Sequence, residues 1–373
     1  MENLELVYDF HALPSAPVKA GAAGLVMAAK AFGILEHFEV SPNRLVARFT
    51  RPTFVEFMAY VFQQGQSVGR DGKVALDKEG NPKVAPALPY FPKLMGGEAG
   101  RFWVVRWQKT YRVLYGFKQL EAFADYRAKA KRDREAEYSK LFDSLQVTTD
   151  KKGRKPTADT LGRRAFWTDS CTAELQPIRG HVQEDFLLDF CLIPCMTFDV
   201  KVPEWDAGKN RWQEKYQGQA IIVPEPSNLK LFVNDFLGVL GQIQDEKLVE
   251  PVVLPTEGAL RFLGSFVHHR LKQSPETSEQ LNTVYVLHVK RGTNVCNYMS
   301  MDRVTLDRPV IDQYYLLREA LWNPMLKRAV LTSLLEKEPW YSRVGDILVR
   351  HSLRAYRGTF SHDIHHLLSR RQA

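Results

Sequence analysis

Extended and helical hydrophobic patterns interleave along most of this chain, and that interleaving confines it to an architecture in which helices pack on sheets. Residues 45–49 alternate apolar and polar side chains like a strand. Pro52 then opens a helix on which Phe54, Phe57, Met58 and Val61 recur at helical spacing, stopping at Gly65. Upstream, residues 18–35 predict a helix whose Gly21, Gly24 and Gly33 allow close packing. In the second half, extended segments around 186–198 and 220–223 lead through Pro224-Glu225-Pro226 into a helix over 229–240, with Ser227 and Asn228 as suitable N-caps. A helix follows over 256–271 and a strand over 282–289. Residues 101–107 alternate in a way that suits a strand with one covered face. Residues 118–145 predict a long solvated helix held by a narrow stripe through Tyr126, Ala130 and Tyr138. Residues 63–92 are rich in Gly, Pro and Lys and predict loops or a hairpin on the surface.

Beyond Pro309 the pattern is entirely helical, with helices near 313–322, 324–335, 341–356 and 362–369. The expected fold class is therefore α+β: a large mixed α/β body over residues 1–308 and a short C-terminal helical bundle over 309–373. With 373 residues and 45% hydrophobic content, the chain has enough apolar surface for a substantial core. No run of apolar residues is long enough to span a bilayer, and residues 1–10 lack a secretory signal pattern, so the expected location is the cytoplasm. In that setting Cys171, Cys191, Cys195 and Cys296 are expected to be structural thiols; Cys191 and Cys195 have the spacing of a loose metal pair, but no second pair follows.

The formal net charge of +8 favours polyanionic partners, and its distribution says more than its sum. Residues 101–164 carry 17 Lys and Arg against eight acids, an excess that accounts for the whole net charge. Trp103, Trp107, Tyr111, Tyr115, Phe166 and Trp167 are interleaved with it, and cations plus flat faces are what a groove tracking a phosphate backbone needs. Between 127 and 134 the neighbouring acids neutralise the helix face. Lys151, Lys152, Arg154, Lys155, Arg163 and Arg164 have few acids nearby and are the candidate phosphate contacts. Gln63, Gln64 and Gln66 flank a flexible glycine and offer amides for base edges. Gly96 and Gly97, followed by Arg101, form a second candidate for close backbone approach to a duplex, without the Gly-Lys-Ser/Thr ending of a phosphate loop.

An enzymatic alternative rests on His362, Asp363 and His366, a His/Asp cluster of a metal-dependent nuclease or phosphohydrolase, but the glutamate of a metalloprotease motif and further ligands are missing. Cys171 with His181, or Ser265 with His268, can be drawn as nucleophile and base; such pairs arise by chance in a chain this long. No catalytic residue, metal or cofactor is expected.

Residues 6–16, Leu-Val-Tyr-Asp-Phe-His-Ala-Leu-Pro-Ser-Ala, followed by Lys19-Ala20-Gly21-Ala22-Ala23-Gly24-Leu25, resemble the opening of the Myxan-type large subunit of type I CRISPR complexes, a type I-B-like subgroup. A second similarity is Ala220-Ile221-Ile222-Val223-Pro224-Glu225 followed by Leu229, Phe232 and Phe236, which resembles that family's strand, turn and amphipathic helix. The likeness weakens but extends to about residue 291. Ser15-Ala16-Pro17-Val18 stands where the family pattern has Thr-Ala-Gln-His, so a histidine role there is unsupported. The resemblance implies a non-catalytic subunit of a Cascade complex that contacts the guide RNA 5′ handle and the protospacer-adjacent motif of target double-stranded DNA, and helps to part the strands. Its implied partners are the handle-binding subunit, the backbone subunit, separately supplied small subunits and, in a CRISPR-associated transposon, the adaptor TniQ. In RNA-guided systems the protein reads a short duplex motif and backbone shape, while base pairing reads the rest.

Overall fold

The computed structural model describes residues 3–66, 73–114, 131–146, 157–159, 179–206, 208, 211–242, 250–273, 281–291, 296–318, 321, 323–350 and 362–364. Among the described residues no helix is long and apolar enough to cross a membrane.

The mixed α+β class holds. Strand β1 (Asn3–Asp9), β2 (Phe38–Val40) and β3 (Arg44–Thr50) form a small antiparallel sheet in the order β1-β3-β2. Helix α1 (Ala16–Phe32) connects β1 to β2, and almost its whole length is buried. That burial is possible because its residues are small. A Cβ at Gly21 would lie 2.1 Å from the Leu187 carbonyl oxygen, and one at Gly24 equally close to that of Phe190. Helix α2 (Arg51–Val61) starts where Thr50 accepts a hydrogen bond from the Thr53 amide, with Pro52 in its first turn. Its inward Phe54, Phe57, Met58 and Val61 are the residues whose spacing predicted it.

The larger sheet comprises β8 (Met196–Asp206), β9 (Arg211–Pro226), β10 (Leu281–Arg291) and β11 (Cys296–Thr305) in the order β11-β10-β9-β8, antiparallel throughout. Helix α7 (Leu229–Gln242) follows β9, capped by Asn228, whose side chain accepts from the Leu231 amide at 3.0 Å. Helix α8 (Pro255–Gln273) lies on the sheet so closely that a Cβ at Gly258 would meet Phe198 at 2.8 Å. One continuous apolar core joins the small sheet, α1, α2 and the large sheet.

Between them run β4 (Gln64–Gln66), β5 (Val84–Pro86), α3 (Tyr90–Met95), α4 (Gly97–Leu114), α5 (Lys131–Gln146), β6 (Thr157–Asp159), β7 (Arg179–His181) and α6 (Val182–Leu187). The C-terminal segment holds α9 (Arg308–Arg318), α10 (Pro324–Leu335) and α11 (Val344–Arg350), where Leu326, Ala329, Val330, Val344 and Ile347 pack in a small apolar cluster with Leu321.

Two expectations need correction. Residues 101–107 lie within helix α4, not a strand. The alternation of Phe102 and Val104 misled, whereas the buried stripe runs through Gly100, Trp103, Trp107 and Thr110 at helical spacing. Residues 186–193 are helical and turn-like rather than extended: α6 passes into a short 3₁₀ turn, and extension begins only at Met196. A short run that is apolar except for one residue, Asp189, has too little polar face from which to read its period. Of the helix predicted over 118–145, α5 covers the second half, with Tyr138, Phe142 and Leu145 as its buried stripe, and residues 118–130 lie outside the described residues.

Candidate nucleic-acid interface

The three glutamines mark the base of a hairpin. Strands β4 and β5 pair antiparallel, with Gln64 opposite Pro86, Gly65 opposite Ala85 and Gln66 opposite Val84, and the Ala87 amide donates to the Gln63 carbonyl at 2.8 Å. Gln63 and Gln66 are exposed. Gly65 sits close to the returning strand: a Cβ there would lie 3.1 Å from that of Ala87, a tight contact.

This hairpin is fastened from behind by a side chain that the sequence does not advertise. Gln108, buried on α4, donates its amide to the Pro86 carbonyl at 2.9 Å and to the Gln66 carbonyl at 3.3 Å. One buried amide thus links both strands to the helix and fixes where the exposed glutamines stand.

Toward its tip the excursion is ordered by Asp77. The carboxylate accepts from the Glu79 and Asn81 amides at 2.9 and 2.8 Å, and the Asp77 amide donates to the Asn81 carbonyl. These hydrogen bonds, that from Asn81 foremost, hold the carboxyl below its ordinary pKa. Gly80 takes the positive φ of 85° that the turn needs. Lys78 is exposed within this turn, and Lys83 is exposed next to Val84, the partner of Gln66, so one cation stands at the turn and another beside the amides of the base.

The glycines of 96–101 have a structural task. Gly96 closes α3 at φ 83°, Gly97 begins α4, and a Cβ at Gly100 would sit 2.3 Å from the Pro92 Cα. The close approach here is of α4 to α3. Arg101 stands two turns before Gln108, roughly 10 Å along the helix axis.

Trp103 and Trp107 do not provide stacking faces, and Tyr115, Phe166 and Trp167 lie outside the described residues. Trp103 and Trp107 are buried with ring centroids 4.8 Å apart, and the Trp107 indole donates to the Leu192 carbonyl at 2.6 Å. Arg106 is equally committed inward, donating to the Thr197 carbonyl. Lys151, Lys152, Arg154, Lys155, Arg163 and Arg164 lie outside the described residues.

Several residues of the enzymatic alternatives, Asp363 first among them, are engaged in the fold. Asp363 is buried and accepts the Asn323 amide at 2.6 Å, supporting the residue that caps α10, while His362 beside it is exposed. His366 and Cys171 lie outside the described residues. Ser265 donates to the Arg261 carbonyl at 2.7 Å, His268 packs edge-on against Tyr315, and His181 caps α6 by accepting the Gln183 amide. Cys191 and Cys195 are core residues; the Cys195 thiol donates to the Cys191 carbonyl, and burial pushes its pKa well up.

Sequence reasoning missed a buried charge network in the C-terminal half. Glu257 accepts from Arg261 at 2.7 Å, Lys327 at 3.0 Å, Tyr314 at 3.1 Å and the Val253 amide at 2.8 Å. Burial alone would raise its pKa, but Arg261, Lys327 and the hydrogen bonds outweigh it and hold the carboxyl below its ordinary value. The available signal was a Glu/Arg pair four residues apart on a largely apolar helix.

Comparison with known proteins agrees with the resemblance noted above. No curated protein matches the chain significantly. Two family models do: the type I-B CRISPR Cas8b N-terminal domain over residues 82–276, and the type I-B CRISPR Cas8b C-terminal domain over residues 281–373. The N-terminal model alone spans more than half of the chain and the C-terminal model follows directly, so the protein belongs to the type I-B CRISPR Cas8b family, the large subunit of the type I-B effector complex.

Proposed function

We propose that this large subunit is a non-catalytic reader of duplex DNA, with the β4–β5 hairpin as the element that meets the protospacer-adjacent motif. The observation that carries this reading is a two-stranded ribbon with exposed Gln63 and Gln66 at its base, exposed Lys83 beside them, Lys78 in the turn beyond, and a buried Gln108 holding it to α4. A ribbon of that width fits a DNA groove, amides match base edges, and lysines match the flanking phosphates. Arg101 and the Gly96-Gly97 turn supply a second contact from α4. Lys151, Lys152, Arg154, Lys155, Arg163 and Arg164 contact phosphates without regard to sequence. The guide RNA 5′ handle and the handle-binding, backbone and small subunits hold the protein in place while the R-loop opens. TniQ joins where the complex serves a transposon.

The test is a randomised motif library presented to the assembled complex. Gln63→Ala, Gln64→Ala or Gln66→Ala should cost about 1–3 kcal/mol on the preferred motif and little on mismatched ones. Replacing Lys151, Lys152, Arg154 and Lys155 with Ala should weaken all sequences alike and flatten the log-log salt dependence by roughly 0.9 per lost contact. A library profile that keeps its shape in all three glutamine variants and in Arg101→Ala removes the hairpin from the reading.

A further inference from the structure

The large sheet and helix α10 enclose a cleft of about 640 Å3 that the reading above leaves without a task. Its volume lies within the roughly 300–1,000 Å3 of small-ligand pockets. Arg328, Thr332 and Leu335 face it from α10 at helical spacing, and Val200, Val202 and His288 face it from the sheet.

Two β-bulges border this cleft. Val200 pairs with Gly218 but Lys201 with Tyr216, leaving Gln217 as the extra residue of β9. His288 pairs with Ser300 but Val289 with Tyr298, leaving Met299 extra on β11. Bulges re-aim side chains and concentrate beside functional sites. The bulge in β9 is stitched across the sheet, because the Gln217 carbonyl lies 3.1 Å from His288 Nε2. Only an N–H can meet a carbonyl, so Nε2 carries the hydrogen, and in the neutral ring Nδ1 is an acceptor. Burial lowers the His288 pKa and favours that neutral form.

Asp302 supplies a second acceptor. Ser300 donates to its Oδ2 at 3.2 Å, and among the described residues Oδ1 takes no hydrogen bond. Arg328 is exposed and makes no ion pair among the described residues. The cleft therefore combines aliphatic walls from Val200, Val202 and Leu335, an acceptor-rich edge at His288 and Asp302, and one available cation.

From this arrangement we infer that the cleft holds a single unstacked guanine nucleotide of a nucleic-acid strand, with Asp302 on the base edge and Arg328 on the phosphate. Guanine presents two adjacent N–H donors, N1–H and the 2-amino group, to one carboxylate. Adenine places an acceptor nitrogen beside its amino group, and a carboxylate repels it. The flat faces of the base suit the aliphatic walls. The inference rests on the reading that this chain touches nucleic acid.

The experiment titrates the full chain with GMP, AMP, CMP and UMP, and in parallel titrates the assembled complex with duplex DNA carrying the preferred motif at several salt concentrations. GMP should bind about tenfold tighter than AMP. Asp302→Asn should erase that preference, and Arg328→Ala should weaken all four nucleotides alike, with unchanged thermal midpoints showing that both variants fold. Failure of all four nucleotides to bind while salt-dependent duplex binding persists overturns the cleft and leaves the duplex reading standing. Equal binding of the four, insensitive to both substitutions, overturns it as well. GMP binding that depends on Asp302 without duplex binding supports the cleft and overturns the hairpin reading; absence of both overturns the two together.

Discussion

A methyl group at Gly24 would sit 2.1 Å from the Phe190 carbonyl oxygen, a backbone atom that cannot swing aside. The small side chains of α1 thus set how near the helix comes to the α6 region, and a single added carbon forces the two apart. Gly24→Ala should destabilise the protein by about 1–3 kcal/mol, the range for overpacking a filled interior, read as a lower urea midpoint at unchanged slope. An unchanged midpoint would show that α1 can withdraw at no cost. Gln108 acts by the same residue-scale logic, since its amide serves two carbonyls from different strands.

At the scale of elements, the C-terminal helices are joined to α8 by charge as well as by apolar contact. Glu257 and Arg261 lie on α8, Tyr314 on α9 and Lys327 on α10, so one buried carboxylate touches three helices. Arg261 also donates to the Glu250 carbonyl at 2.8 Å and to the Tyr314 hydroxyl at 2.9 Å. Removing the carboxylate charge strands a buried guanidinium, so Glu257→Gln should cost about 3–5 kcal/mol. The pH dependence has a definite sign. Because the folded pKa of Glu257 is depressed, its contribution is present above the unfolded carboxylate value of about 4.5 and is lost as pH falls through the folded value. Denaturation midpoints measured from pH 7 down to pH 3 should fall in the acid range, and less steeply in Glu257→Gln. Parallel profiles for the two proteins would place the acid sensitivity elsewhere.

For the whole molecule, the two family-matched segments are one structural body. Strand β10, from the C-terminal segment, pairs along β9, from the N-terminal one, and Val284, Val286, Leu287 and Val289 are buried in the shared core. A fragment of residues 1–276 would expose the edge of β9 and the apolar face that β10 covers, an arrangement prone to association. We expect that fragment and residues 281–373 each to be aggregated or unfolded when produced alone, and to form a soluble complex when produced together. A monomeric, cooperatively unfolding 1–276 fragment would contradict this. The same continuity couples the hairpin to the rest: α4 carries Gln108 toward β4–β5 and, through Arg106 and Thr110, bonds to Thr197 on β8.

What the sequence determined by itself is whatever a local pattern can encode. The period of Phe54, Phe57, Met58 and Val61 requires a helix, the apolar run at 220–223 followed by an Asn cap requires a strand feeding a helix, and the Gly/Pro-rich stretch after Gln63 requires loops or a hairpin at the surface. The family likeness was legible for a related reason, since one of its two motifs, at 220–236, lies on these same local signals and the other, at 6–25, is itself a contiguous stretch of sequence. Tertiary structure alone decided which side chains were spent on packing. Trp103, Trp107 and Arg106 have the composition of a nucleic-acid surface, yet the helical stripe of α4 turns the tryptophans into the core and Arg106 toward a carbonyl. Strand β11 has little pattern of its own, and although Met196, Phe198, Val200 and Val202 of β8 alternate with Thr197, Asp199 and Lys201, the partner of each strand is chosen by neighbours elsewhere in the sequence. Nor can any local pattern announce that Glu257 on α8 meets Lys327 on α10, or that Arg328 on α10 lines one cleft with His288 and Asp302 of the β10–β11 pair: those elements become neighbours only when the helices pack on the sheet.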